Sequence, residues 1–250
     1  MRQKAYTKKK EKEVLDLYKQ GLPIKEICKI TSTWKDYPTK IAKKFGIERG
    51  SGAKSKIDPN KYKLGTISSD YWIGYIISDG SIAKTNRSAI VSISTMDSEI
   101  RDKYIRYNDL CHLHVHPKNG INAMYFGSSI IVDYLISIGI IPNKSKTINL
   151  KFPLNKDILR GIFDGDGSVH NKRNCCKITT ASVLLGTQIV EFLKEQGIFS
   201  KLRKRLEDCY DVWIERKLDY KLFFELLYKN RDSEVYMERK YNRFVAHLGN

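Results

Sequence analysis

A twelve-residue frame occurs twice in this chain, and no other feature constrains the fold as much. Tyr71-Trp-Ile-Gly-Tyr-Ile-Ile-Ser-Asp-Gly-Ser-Ile82 lines up with Ile158-Leu-Arg-Gly-Ile-Phe-Asp-Gly-Asp-Gly-Ser-Val169. In each copy a glycine is followed, after four residues, by Asp-Gly-Ser and an aliphatic residue, so Gly74 leads to Asp79 and Gly161 to Asp166. Asp70 and Asp157 stand at matched places nine residues before those acids. Self-similarity of this kind marks a structural unit used twice.

What trails each copy is also parallel. After Asp79, apolar periodicity predicts strands near 81–84 and 88–95, a helix from Asp97 to Leu110, strands at 112–116 and 121–126, and a helix through Ile130, Ile131, Tyr134, Leu135 and Ile138. After Asp166 it predicts strands near 168–171 and 175–180, a helix from Ser182 to Gln196, strands at 200–206 and 209–214, and a closing helix through Leu218, Leu222, Phe223 and Leu226. Asp97 and Ser182 are the expected N-caps. Each half reads αββαββα. The expected fold class is therefore α+β, with units at 67–148 and 149–250 related by a pseudo-two-fold axis, like a fused dimer.

The repeated segments have the makings of two crossing helices. Small residues four apart, Gly74 and Ser78 in one and Gly161 and Gly165 in the other, let two backbones approach closely. Asp79 and Asp166 then fall at the helix ends, with Gly80 and Gly167 expected as stops in a left-handed backbone. Two carboxylates converging there repel each other and the negative end of the helix dipole. Divalent metal binding resolves that conflict, because hard cations take oxygen ligands. The competing explanation is two ordinary Asp-Gly turns.

Residues 72–80 and 159–167 resemble the two signature motifs of the LAGLIDADG homing endonucleases. The second copy matches more closely; the first departs at Ile77 and Ser78 but keeps Asp79. The likeness covers roughly 67–250 and leaves the first sixty residues aside. It implies two αββαββα units of the homing endonuclease type and a Mg²⁺ site at Asp79 and Asp166, with the carbonyls of Ser78 and Gly165 as further ligands. It also implies a basic catalytic residue after each unit's last helix. Lys144 and Lys240 are the candidates, with Lys146 and Arg239 as competitors.

Alternation along the strands gives a surface for double-stranded DNA. One face carries Ser88, Ser92 and Ser94, then His112, His114 and His116; its counterpart in the second unit carries Lys177, Thr179, Lys201, Arg203 and Arg205. Apolar residues between them face the other way, so a polar and basic sheet face is left for the major groove. A zinc site on the three histidines has in the sequence neither an acid to orient their rings nor a closed ligand set.

Charge points to the same partner. The chain has 45 Lys/Arg against 28 Asp/Glu, a net +17 with pI near 9.5, as suits a protein facing a polyanion. Residues 1–60 hold 16 of the basic and 7 of the acidic residues. Within 1–47, three short helices are expected: one through Val14, Leu17 and Tyr18, one opened by Pro23, and one between Trp34 and Phe45. The last has an apolar face of Tyr37, Ile41 and Phe45 and a polar face of Thr39, Lys40, Lys43 and Lys44. That pattern resembles a helix-turn-helix DNA-binding domain. Residues 48–66 read as a linker.

No apolar run approaches a membrane span, no apolar signal segment opens the chain, and the five cysteines form no C-x-x-C pair. The expectation is a soluble, intracellular and cytoplasmic monomer, with an organelle left open. Its expected activity is Mg²⁺-dependent double-strand cleavage of a long DNA site in intron homing. The alternatives are a non-cleaving DNA-binding regulator on the same scaffold, or a maturase that binds its intron RNA.

Overall fold

The computed structural model describes residues 7–19, 24–45, 57–85, 88–108, 112–115, 121–170, 173–206, 208–229, 232 and 234–249. The chain divides into two compact units, Met1–Lys54 and Ser55–Asn250. The smaller holds α1 (Lys8–Lys19), α2 (Ile24–Thr31) and α3 (Tyr37–Lys44). Their shared core is Val14, Leu15, Tyr18, Ile27, Tyr37, Ile41 and Ala42. Ser32, with a left-handed φ of 50°, starts the turn between α2 and α3. Pro38 lies in the first turn of α3, where its missing N–H leaves no hydrogen bond unmade. One expectation fails here: Phe45 is exposed and Ala42 fills the core instead, because α3 ends at Lys44 and Phe45 leaves the helical face. Thr39, Lys40, Lys43 and Lys44 are exposed as expected, with Lys44 3.4 Å from Glu11. Pro23 lies outside the described residues.

The expected linker 48–66 is too long at its far end. Residues 48–56 lie outside the described residues, but Ile57 and Tyr62 are buried in the larger core. Asp58 caps a 3-10 turn over Pro59–Tyr62 by accepting from the Asn60 N–H at 2.9 Å. The Tyr62 hydroxyl donates to Asn108 Oδ1 at 2.9 Å. Asp, Pro, Asn and Lys give the stretch the composition of a linker, while two apolar anchors hold it down.

The larger unit contains the repeat. The first half runs α4 (Ile67–Asp79), β1 (Gly80–Lys84), β2 (Ala89–Thr95), α5 (Ser98–Asn108), β3 (His112–Val115), β4 (Asn122–Gly127) and α6 (Ser129–Ser137), followed by a 3-10 turn at Lys144–Lys146. The second runs α7 (Lys156–Asp166), β5 (Gly167–Val169), β6 (Cys176–Thr180), α8 (Val183–Glu195), β7 (Lys201–Leu206), β8 (Cys209–Ile214) and α9 (Lys217–Tyr228). A further helix, α10 (Glu238–Leu248), follows α9, where α9 was expected to close the unit. Tyr241, Phe244 and Leu248 carry its helical spacing among charged residues. Both sheets are antiparallel, ordered β1-β2-β4-β3 and β5-β6-β8-β7, so the two halves share one topology.

Caps set the helix starts. Thr66 and Ser69 form a capping box on α4, Asn155 accepts from the N–H groups of Asp157 and Ile158 on α7, and Ser182 accepts from Leu185 on α8. Asp97 accepts from the Glu99 N–H at 3.1 Å. From Ser69 to Ile77 α4 is buried on all sides, the state of a central core helix. It crosses α7 at Gly74 and Gly161, and one apolar core runs through both halves.

Candidate active site

Convergence of the two acids depends on the crossing. A Cβ on Gly74 would lie 2.1 Å from the Ile158 carbonyl oxygen, and one on Gly161 would lie 2.1 Å from that of Tyr71. At the far end of the helices, a Cβ on Gly165 would meet Ser78 Oγ at 1.9 Å and Asp79 Cγ at 3.4 Å. Asp79 therefore rests against the last turn of α7, one residue before Asp166. Gly80 and Gly167 end the two helices as expected, but without using the left-handed backbone a glycine tolerates. Their φ values are −95° and −81°, extended rather than left-handed. Their missing side chains matter for space, since a Cβ would fall 2.6 Å from Ile76 Cα or 2.4 Å from the Phe163 carbonyl oxygen.

Burial raises the Asp79 pKa above the ordinary carboxylate range, opposed by hydrogen bonding from Tyr75 and the charges of Lys240 and Lys144. Crowding by surrounding protein, with the charge of Asp79 next, pushes Asp166 up to about 6. Asp166 is nevertheless an exposed residue, so the acid pair is open at one side. These are two anions held together and available to an incoming cation.

Lys144 and Lys240 are both buried and both meet the motif helix ends. Lys144 Nζ donates to the Gly80 carbonyl at 2.5 Å. Lys240 Nζ donates to the carbonyls of Phe163, Asp164 and Gly165 at 2.7, 2.6 and 3.1 Å. Burial lowers the Lys144 pKa and takes Lys240 down to about 8, while the nearby Asp residues favour the charged amines. The competitors lie elsewhere: Lys146 is exposed and paired with Asp208 at 2.7 Å, and Arg239 is exposed, 3.5 Å from Asp97. Since a carbonyl oxygen has two lone pairs, Gly165 keeps one beyond its bond to Lys240. The Ser78 hydroxyl is turned back onto the Tyr75 carbonyl at 3.0 Å.

Spacing gives no sign of Asp164, which is fully buried and accepts from Tyr71 and Tyr228 hydroxyls at 3.0 and 3.1 Å and from the Met237 N–H at 2.7 Å. Burial pushes it up to about 6, against the pull of Lys240. Arg160, also buried, donates to the carbonyls of Val235 and Leu227 and pairs with Asp157 at 2.8 Å. Ile77 and Ile73 occupy the matched positions in the first motif, so the second motif alone carries these polar anchors.

On the sheets, Val91, Ile93, Cys176 and Ile178 are buried, while Ser88 and Ser94 are exposed and Ser92, Lys177 and Thr179 half-buried. Lys201, Arg203 and Arg205 are exposed. His112 and His114 lie on β3, His112 opposite Tyr125; His116 lies outside the described residues. The second face is less purely basic than expected. Asp211 sits in it, fixed by Lys177 Nζ at 2.8 Å and Thr179 Oγ1 at 2.7 Å, and Arg203 pairs with Glu215 at 2.9 Å. Trp213 lies between Lys177 and Arg203, 5.2 and 5.8 Å from its ring centroid.

The donor set suits Mg²⁺, which is commonly held by one or two carboxylates with waters and substrate phosphates completing the shell. Among the described residues no group of three or more His, Cys, Asp or Glu gathers as a closed protein cage.

Residues 154–228, from the approach to α7 through α9, match the family profile of the LAGLIDADG-like domain. That segment is therefore LAGLIDADG-like, and the fold is that of the LAGLIDADG homing endonucleases. The homing endonuclease I-WcaI, solved bound to its DNA recognition sequence, superposes with a TM-score of 0.56 at 16% identity, over 80% of this chain and 97% of that one. The LAGLIDADG meganuclease I-AabMI, solved bound to uncleaved DNA, gives 0.51 at 10% identity over 72% and 88%. In sequence, the DNA-directed RNA polymerase subunit Rpo1C of Methanocaldococcus jannaschii is 27% identical over 191 residues, 72% of this chain. The chain spans only 22% of the length of that relative.

Proposed function

We propose that the protein is a site-specific endonuclease that makes double-strand breaks in DNA with a divalent cation held by Asp79 and Asp166. The observation that carries this reading is the acid pair itself: two carboxylates at the ends of two helices whose glycines allow their approach. A structural role gains nothing from that repulsion. A divalent cation there would supply Lewis acidity toward a phosphodiester and activate water. Asp79 and Asp166 would hold it, with the Ser78 and Gly165 carbonyls as further oxygen donors. Lys144 and Lys240 would fix the helix ends and offset negative charge at the phosphates. The polar sheet faces and the net charge of +17 support DNA as the substrate, as does the structure of I-WcaI bound to its DNA recognition sequence. The deciding experiment offers the chain an uninterrupted allele of its own coding locus, with Mg²⁺ or with EDTA. Double-strand breaks in Mg²⁺ alone support the proposal; binding without cleavage in any divalent metal favours a regulator instead.

Lys144→Met and Lys240→Met keep the stem but lose the charge, and single-turnover cleavage should fall on the order of 10²-fold, the effect of removing one electrostatic group. Lys146→Met and Arg239→Met should remain within a few-fold of wild type, since both are exposed. Affinity should drop about 10³–10⁵-fold between 50 and 200 mM salt if roughly 6–10 phosphates are contacted, as measured by fluorescence anisotropy.

The helical unit Met1–Lys54 is proposed to bind DNA beside the nuclease site through Lys40, Lys43 and Lys44 on the exposed side of α3. Deleting residues 1–54 should weaken binding, shorten the footprint on one side and leave the cut positions unchanged, as checked by nuclease protection. An unshortened footprint would remove that role.

A further inference from the structure

α10 brings Lys240 to the end of α7, yet its own N-cap residue, Met237, supplies no side-chain cap. The cap comes from the other repeat. Glu99 on α5 accepts from the Glu238 N–H, with Oε2 at 3.1 Å and Oε1 at 3.4 Å. Lys103, buried one turn further along α5, holds that carboxylate and donates to the Tyr236 carbonyl at 2.8 Å. Its amine also lies 4.5 Å from the centroid of the Tyr236 ring.

The same relation holds in reverse. Lys144 lies after the first half, and the segment that carries it leads across α8 of the second. Gln188 on α8 binds both polar atoms of Leu150, accepting from its N–H at 3.1 Å and donating to its carbonyl at 2.9 Å. Ser182, at the start of α8, donates to the Ile148 carbonyl at 2.8 Å, and the Ile148 N–H closes back on the Lys144 carbonyl at 2.8 Å. α5 and α8 are the equivalent helices of the two repeats, each between its two strand pairs.

We infer that the two repeats position each other's lysines: Glu99 and Lys103 of the first set Lys240, and Gln188 and Ser182 of the second set Lys144. None of the four touches the acid pair in the structure, so they are positioning residues. The inference rests on the proposed endonuclease activity. It adds a division of labour, in which damage to one contact disables one lysine and spares the other. Lys144 meets the end of α4 at Gly80 and Lys240 the end of α7 at Gly165, one lysine per motif helix, so on the proposed activity such damage uncouples the cutting of the two strands.

The test uses the full chain with a supercoiled plasmid carrying the cleaved site, with each strand's ends labelled separately. Glu99→Ala should slow one strand at least tenfold and accumulate nicked circles; Gln188→Ala should do so for the opposite strand. Glu99→Gln, which keeps an acceptor for the Glu238 N–H, should recover most of the lost rate. Hydrogen exchange on the free protein gives a reading without catalysis: the amides of 238–241 lose protection in Glu99→Ala, and those of 148–150 in Gln188→Ala. Equal slowing of both strands, nicks in the same strand from both variants, or unchanged exchange overturns the inference. A wild-type chain that cuts no DNA overturns the endonuclease reading and the strand assignment with it, whereas the exchange pattern still decides whether the cross-repeat caps hold α10 and the Lys144 segment.

Discussion

Asp79→Asn and Asp166→Asn should each lose double-strand cleavage while remaining folded and bound to DNA. Asn keeps the shape of the side chain but removes the anionic donor. A metal contribution of several kcal/mol to the transition state corresponds to about 10³-fold or more in rate. The same substitution should have the opposite sign on stability. Asp166 titrates at about 6 in the folded protein, above its ordinary value of 3.8. The folded state therefore binds the proton more tightly than the unfolded chain, and stability falls as pH rises between those two values. Above about 6 the full penalty is present, and below 3.8 it is gone. In EDTA, Asp166→Asn should melt above wild type at pH 8, with the difference vanishing near pH 4. A variant that cleaves at the wild-type rate in Mg²⁺ would remove Asp166 from the site. One that melts well below wild type at pH 8 would give the acid a structural role instead.

The parts of this molecule legible in sequence were those with short-range signatures. Gly74 to Asp79 and Gly161 to Asp166 lie within single helices, so spacing alone paired them. Strand alternation placed Val91, Ile93 and Ile178 inside, since side chains on a strand change face at every residue. The parts that escaped depend on contacts distant in sequence. Asp164 reads as one more acid before Asp166, because its partners Tyr71, Tyr228 and Met237 come from three separate segments. Asp211 falls on the outward face by alternation, yet it is buried there under Lys177 and Thr179. Pairing between strands decides that, and the sequence of one strand does not contain it. Gly80 and Gly167 read as left-handed stops because Asp-Gly commonly is one. Here the constraint is the helix backbone and side chain behind each glycine. The LAGLIDADG-like profile covers 154–228, the half whose motif is the closer match, and the first half is related to it by topology.

The largest effect on folding should come from one methyl group at the crossing. In Gly161→Ala the new Cβ would stand 2.1 Å from the Tyr71 carbonyl oxygen and 2.7 Å from the Tyr75 nitrogen. In Gly74→Ala it would stand 2.1 Å from the Ile158 carbonyl oxygen. These obstacles are backbone atoms of the opposing helix, so no rotamer change relieves them. The helices must move apart through the core they share. Overpacking in cores typically costs about 1–3 kcal/mol, and this geometry belongs at or above the upper end. For a chain of this size, about 3 kcal/mol lowers Tm by roughly 6–12 °C. Gly127→Ala is the control: its Cβ would find only the Ala89 carbonyl oxygen, at an ordinary 3.6 Å, and its melting point should hardly change. Gly165→Ala tests the active-site end of the same interface, because its obstacle is the Ser78 side chain, 1.9 Å from Oγ. Adding Ser78→Gly should recover most of the loss, a coupling that a double-mutant cycle measures directly. Thermal melts in EDTA read all of these without reference to catalysis. If Gly161→Ala melts with wild type, the helices do not cross this closely. The acids at their ends would then have no reason to meet.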